Sequence, residues 1–266
     1  MIYRKTRPFI LLGITFLISL LVVLTHLERV DAKDNSSQLA LPNPQTHPLP
    51  TTLEQWQNST GADDYFAEIE PTPAGYLIWS EFPVKVYVER PTEPAEASAS
   101  ARQFQYWLED VLTAVEDWSI YLPLELVTLA EDADISILRS SPPLKPVFNR
   151  ETGRFDLPRA RSAEASYKFY LREAPEVSLP ILSHKFTILL SPEHIIEQTT
   201  ASARHELGHA LGIWGHSPLE MDALYFSKVR NPPQISARDI NTLKRVYQQP
   251  TRLGWPLVSN EESNLN

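Results

Sequence analysis

Cysteine is absent from the 266 residues. That excludes a disulfide framework, a thiolate metal site and a pro-segment thiolate that caps a metal. Glycine is scarce, with eight against 23 prolines, so connections are expected to be stiff and extended. Basic residues are outnumbered: 24 Lys and Arg against 33 Asp and Glu leave a net charge of −9. No nucleic-acid partner is expected, because phosphate binding needs a concentrated basic face and the cations here are scattered beyond the extreme N-terminus. No internal repeat occurs.

Long apolar runs are also missing, save one. Arg4, Lys5 and Arg7 precede an almost unbroken apolar stretch from Phe9 to Leu24. At 1.5 Å per residue, roughly 17 helical residues span about 26 Å, enough for a thin bilayer. The basic cap then stays cytoplasmic and the remainder is exported. Residues 1–30 are read as an uncleaved membrane anchor in preference to a signal peptide, with Val30-Asp31-Ala32 the best cleavage candidate. The expected location is membrane-anchored with the folded domain on the extracytoplasmic side, or secreted if the segment is cleaved.

Residues 31–75 divide into a polar, proline-dotted tether to about Pro50 and a mixed segment that either packs on the domain or serves as a pro-segment. The regular domain is expected over 76–250. Pro83–Glu89 alternates as a strand, and Leu124–Val127 and Ile135–Leu138 read as two more. Between them a helix from about Pro94 to Trp118 repeats Phe104, Trp107, Val111, Val115 and Trp118 on one face. Residues 139–165 read as an irregular excursion, and Ser166–Leu171 and Lys185–Leu190 as strands. A helix is predicted from Pro192 or Glu193 to Leu211, with Ile196, Ala203, Leu207, Ala210 and Leu211 facing the sheet. A last helix begins at the N-cap Ser236, with Asp239 three residues on, and buries Ile240, Leu243, Val246 and Tyr247. Residues 251–266 read as a polar tail.

The chemistry concentrates in His205-Glu206-Leu207-Gly208-His209, followed by Gly212 and His216. Histidines four apart on a helix lie about 40° apart around its axis, so both imidazoles can reach one ion. Glu206 can sit beside that ion as a general base without ligating it. Gly212 can end the helix and turn the chain, which returns with His216 as a third nitrogen ligand. Three protein ligands leave a fourth position open, the arrangement of a catalytic Zn²⁺. His26, His47, His184 and His194 lie outside the motif and are assigned to solvent or packing.

This order of elements resembles the metzincin zinc peptidases, and within them the matrixins, the family of the matrix metalloproteinases. The run from His205 to Gly212 is similar to the family's zinc-helix motif, and His216-Ser217 to the pair that carries its third ligand. Trp118, Leu124–Leu126 and Ala133–Ile137 resemble the stretch after its first helix, and Ile235–Ile240 with Tyr247 its last helix. The likeness covers about residues 76–250. It implies an α+β, zincin-type domain: a twisted, mostly parallel sheet of about five strands packed on two helices, the active-site and C-terminal helices flanking the cleft. The implied activity is that of a monomeric zinc endopeptidase, acting on protein or peptide substrates with a zinc-activated water and Glu206 as general base.

Three departures stand against the family pattern. His209 and His216 are seven apart, one more than usual, so Ile213-Trp214-Gly215 holds an extra residue; Glu220 is the rival third ligand. The family's methionine beneath the metal corresponds here to Leu224, before Tyr225, with Met221 three residues earlier; either could lie there. Tyr225 is given a packing role first. Residues 139–184 lack the Asp- and Gly-rich loops that bind structural calcium, so calcium dependence is not carried over. Asp63 or Asp64 could cap the metal, although a solvated acidic pair is preferred. The alternative function is a membrane-tethered, zinc-containing binding module without peptidase activity.

Overall fold

The structure is a computed structural model that describes residues 39–157, 160–192 and 196–259. The apolar stretch 9–24, the cleavage candidate, His26, His194 and the end of the tail lie outside the described residues. No helix among the described residues is long and apolar enough to cross a membrane.

The chain runs through β1 (Leu39–Ala40), α1 (Thr51–Gln55), β2 (Val84–Val88), α2 (Ala99–Ser119), β3 (Leu124–Val127), β4 (Ile135–Leu138), β5 (Val147–Asn149), β6 (Arg154–Asp156), β7 (Ala163–Arg172), β8 (Ile181–Leu190), α3 (Ile196–Leu211), α4 (Ala237–Tyr247) and β9 (Val258–Ser259). It is a mixed α+β fold. The main sheet has five strands in the order β3-β2-β4-β8-β7; the first four are parallel, and β7 runs antiparallel at the edge. Val84, Val86, Val88, Ile135, Ile137, Phe186, Ile188 and Leu190 are buried at alternate positions, the period-2 signal of strands with one covered face. α2 and α3 pack against each other, and Trp118 of α2 donates its indole N–H to the Arg204 carbonyl of α3 at 2.8 Å.

Several boundaries differ from the sequence reading. α2 starts at Ala99 rather than Pro94, because the Ser98 side chain accepts from the Ala101 N–H and caps the helix there. The stretch 139–165 is not wholly irregular: β5 and β6 form a hairpin within it, and β7 begins at Ala163. The packed body also extends beyond 76–250 at both ends. Leu53, Tyr65, Ile69 and Ala74 are buried in the segment read as tether or pro-segment, and Thr251, Leu253 and Leu257 in the segment read as tail. The two segments meet where β1 pairs antiparallel with β9, and Gln45 with Thr251. α4 is as predicted, with a full capping box between Ser236 and Asp239.

His184 is packed rather than solvated. Its ring stacks on Trp79 with centroids 4.0 Å apart and edges against Phe186. Burial pushes it down to about 3 from an ordinary 6.5. The unfolded chain therefore takes up this proton first: stability is full above about pH 6.5 and falls as the pH drops from there towards 3. Urea titrations from pH 6.5 to 4 should show a shallower acid loss for His184→Phe than for the parent, by at most about 1.4 kcal/mol per pH unit. Parallel profiles would contradict this role.

Candidate metal centre

The helix that carries the motif is held from three sides at its C-terminal end. Its last carbonyls have no partner within the helix. Trp79 Nε1 donates to the Ala210 carbonyl at 2.9 Å and Tyr247 Oη to the Leu211 carbonyl at 3.0 Å. Gly212 then takes φ +134°, a left-handed conformation open to glycine, and the chain turns back. About two turns earlier, Arg204 donates from Nε and Nη2 to Asp117 of α2 at 2.9 and 2.6 Å, locking the residue next to His205. These contacts fix the direction in which the imidazoles project.

The three sequence-predicted histidines come together. His205, His209 and His216 each offer a ring nitrogen, and these atoms lie within 4.8 Å of one another; no other such group of three occurs among the described residues. His205 Nδ1 faces the Ala223 carbonyl at 2.9 Å and His209 Nδ1 faces the Ile213 carbonyl at 2.7 Å. A carbonyl only accepts, so both Nδ1 atoms carry the proton, and each neutral ring keeps a lone pair on Nε2. Those two Nε2 atoms are 3.1 Å apart. Burial, reinforced for His209 by its neighbour His205, holds both rings far down, His205 to about 4, so neither supplies a proton to bridge them near neutral pH. Two lone pairs at hydrogen-bond distance with no hydrogen between them fit a shared cation. Three imidazoles, two of them with Nδ1 held by carbonyls, form a donor set suited to Zn²⁺.

Glu206 lies beside the triad and outside it. Its Oε2 accepts the Ala165 N–H of the edge strand at 2.8 Å. Burial pushes its carboxyl up to about 7, with the Ala165 bond pulling the other way. Two cavities of about 580 and 840 Å³ meet at His205 and Glu206 and share Arg161, Ala163 and Phe226 in their walls. The Ser162 carbonyl accepts from Ser191 across from β7, whereas the Ala165 N–H turns to Glu206. By strand alternation, the backbone groups of Ala163, Ala165 and Tyr167 face away from β8, along the cleft side.

His216 stands at the exposed end of the site on a braced loop. Ser217 donates its backbone N–H to the Leu224 carbonyl at 2.8 Å and its hydroxyl to the buried Asp222, which also accepts from Ser236 at 2.6 Å and Arg238 at 3.0 Å. Asp239, fully buried, accepts from the Ala223 N–H, the Ser236 N–H and the Tyr65 hydroxyl, and so holds the carbonyl that orients His205. The extra residue before His216 has a use. Gly215 pairs with Ile69, and a Cβ at Gly215 would overlap the Glu68 carbonyl oxygen, so the segment before the sheet docks on this loop only because a glycine stands there. The remaining alternatives separate cleanly. Leu224 is buried against Gly208 of α3, whereas Met221 and Glu220 are exposed. Tyr225 lies tilted against Phe226 in the cavity wall with ring centroids 4.5 Å apart, and Asp64 pairs with Arg245 at 3.0 Å rather than with the histidines. The orienting carbonyls of Ala223 and Ile213 and the Ala165 N–H were not legible beforehand, because any residue type can supply a backbone group.

Searched against protein families and against curated proteins, the sequence matches none.

Equilibrium dialysis of the full chain should show one tightly held zinc. His216→Ala should weaken it by more than the roughly 10–100-fold that a supporting residue carries, and Glu220→Ala should leave it unchanged. The reverse pattern would assign the third ligand to Glu220.

Proposed function

We propose that the chain is a zinc-dependent endopeptidase of metzincin type, most like the matrixins, with His205, His209 and His216 as metal ligands and Glu206 as general base. The observation that carries this reading is the pair of Nε2 lone pairs facing each other at 3.1 Å, with both Nδ1 atoms committed to carbonyls and His216 alongside. When bound, zinc supplies a Lewis acid that polarises a scissile carbonyl and lowers the pKa of water.

The protein's own groups do the rest. Glu206, with a carboxyl tuned near neutrality, takes a proton from the attacking water and delivers it to the leaving amine. Its bond to Ala165 fixes one oxygen and leaves the other for the water. β7 lies at the sheet edge beside the cleft, so an extended peptide can align by main-chain pairing with it. Cavities on both sides of Glu206 give room for chain on both sides of the cut. The same reading holds the domain on the extracytoplasmic side of a membrane through residues 9–24, as a monomer acting on proteins or peptides.

Glu206→Ala should retain zinc and lose at least about 100-fold in turnover against a mixed peptide library, with chelation abolishing cleavage by the parent. Zinc bound tightly with no cleavage by the parent would favour the non-catalytic binding module; cleavage retained in Glu206→Ala would remove Glu206 from its role.

A further inference from the structure

The two cavities that meet at Glu206 differ in charge. The one of about 580 Å³ runs from His205 and Glu206 to Val229, Pro232 and Pro233, and Lys228 stands in its wall. The other charged groups of this wall are answered. Arg161 faces Glu164 at 3.8 Å. Asp222 is 1% exposed, and its oxygens accept from Ser217, Ser236 and Arg238. Glu206 accepts from Ala165, and burial pushes its carboxyl up to about 7, so near neutrality it carries only part of a negative charge. Lys228 is left over. Among the described residues it has no hydrogen bond and no ion pair. The walls lower its ammonium below the usual lysine value by desolvation, with no carboxylate acting in the other direction.

The cavity of about 840 Å³ on the other side carries the opposite sign. Glu68 and Glu70 border it, both exposed and neither in an ion pair among the described residues. Glu164 lines it too, but Lys145 and Arg161 share that carboxylate. An anionic side chain is therefore attracted into one cavity and repelled from the other. A charge with no partner acts further inside a cleft than on open surface, because the walls exclude water and focus the field. Attraction on one side combined with repulsion on the other is what selects between ligands. A lysine ammonium brings three donors to a carboxylate, while Val229, Pro232 and Pro233 offer apolar surface to its methylene stem.

We propose that Lys228 makes the cavity on its side of Glu206 a specificity pocket for an acidic side chain. The preferred substrate is then a peptide with glutamate or aspartate beside the scissile bond, on that side of the cut only. The inference rests on the peptidase reading of the same site, and it gives Lys228 a selecting role with no part in bond cleavage.

The test uses the zinc-loaded full chain and a peptide that it cuts, resynthesised with Glu, Gln or Lys in turn at the residue on each side of the scissile bond. At one flank the order of kcat/KM should be Glu, Gln, Lys, with Glu above Lys by about tenfold or more, carried mainly by KM. Lys228→Glu should reverse that order at the same flank and leave the other flank unchanged; Lys228→Met should flatten it, with zinc content unaltered in both. No charge order at either flank, or an order that survives Lys228→Glu, overturns the inference. Fluorescence anisotropy of the same peptides, labelled with fluorescein, separates the pocket from the reading beneath it. Lys228-dependent binding without cleavage overturns the peptidase and leaves the charge selectivity of the pocket standing. Cleavage without a Lys228-dependent order leaves the peptidase and overturns the pocket. Neither binding nor cleavage overturns both.

Discussion

Two backbone carbonyls decide how this site is built. By accepting from Nδ1, the Ala223 and Ile213 carbonyls fix the tautomer of His205 and His209 and turn their Nε2 lone pairs towards one point. Helical spacing brings the two rings near each other, but spacing alone leaves each free to rotate about its own side-chain torsions. With the carbonyls in place, the lone pairs converge in a buried region where neither ring is protonated near neutrality. A shared cation would relieve that arrangement. The carbonyls are in turn held by residues of other elements, some of them distant in sequence. Asp239, at the start of α4, gathers the Ala223 N–H, the Tyr65 hydroxyl and its own helix cap, and Trp79 and Tyr247 close the end of the helix that precedes Ile213.

This explains why residues 39–75 belong to the body. Tyr65 reaches Asp239, Asp64 reaches Arg245, and Ile69 pairs with Gly215, the residue before His216. The segment thus touches the supports of both His205 and His216 without contributing a ligand. The segment borders the larger cavity through Glu68 and Glu70, so it forms a wall of the cleft.

What the sequence made legible follows from where periodic physics operates. The sheet strands and α2 to α4 announce themselves by alternation or by a 3.6-residue repeat, and the ligand set by its spacing on a helix. The single extra residue between His209 and His216 looks like a departure from a pattern; it became intelligible only when Gly215 was found against the Glu68 carbonyl. The segments 39–75 and 251–259 carry no repeat, because each is fastened by isolated bridges and single anchors such as Leu53, Tyr65 and Thr251. The hairpin was hidden for another reason. With almost every residue exposed, it has no buried face to impose alternation, and its arginines and the prolines that flank it read as irregular chain.

The central claim is that three imidazoles, and no carboxylate, hold a zinc ion with a position left open. Zinc K-edge X-ray absorption on the purified full chain tests this directly. The account predicts about four light-atom neighbours at roughly 2.0–2.1 Å, with the outer-shell scattering of three imidazoles. A first shell of six oxygens, or scattering from fewer than three imidazoles with a carboxylate in the missing place, would contradict it.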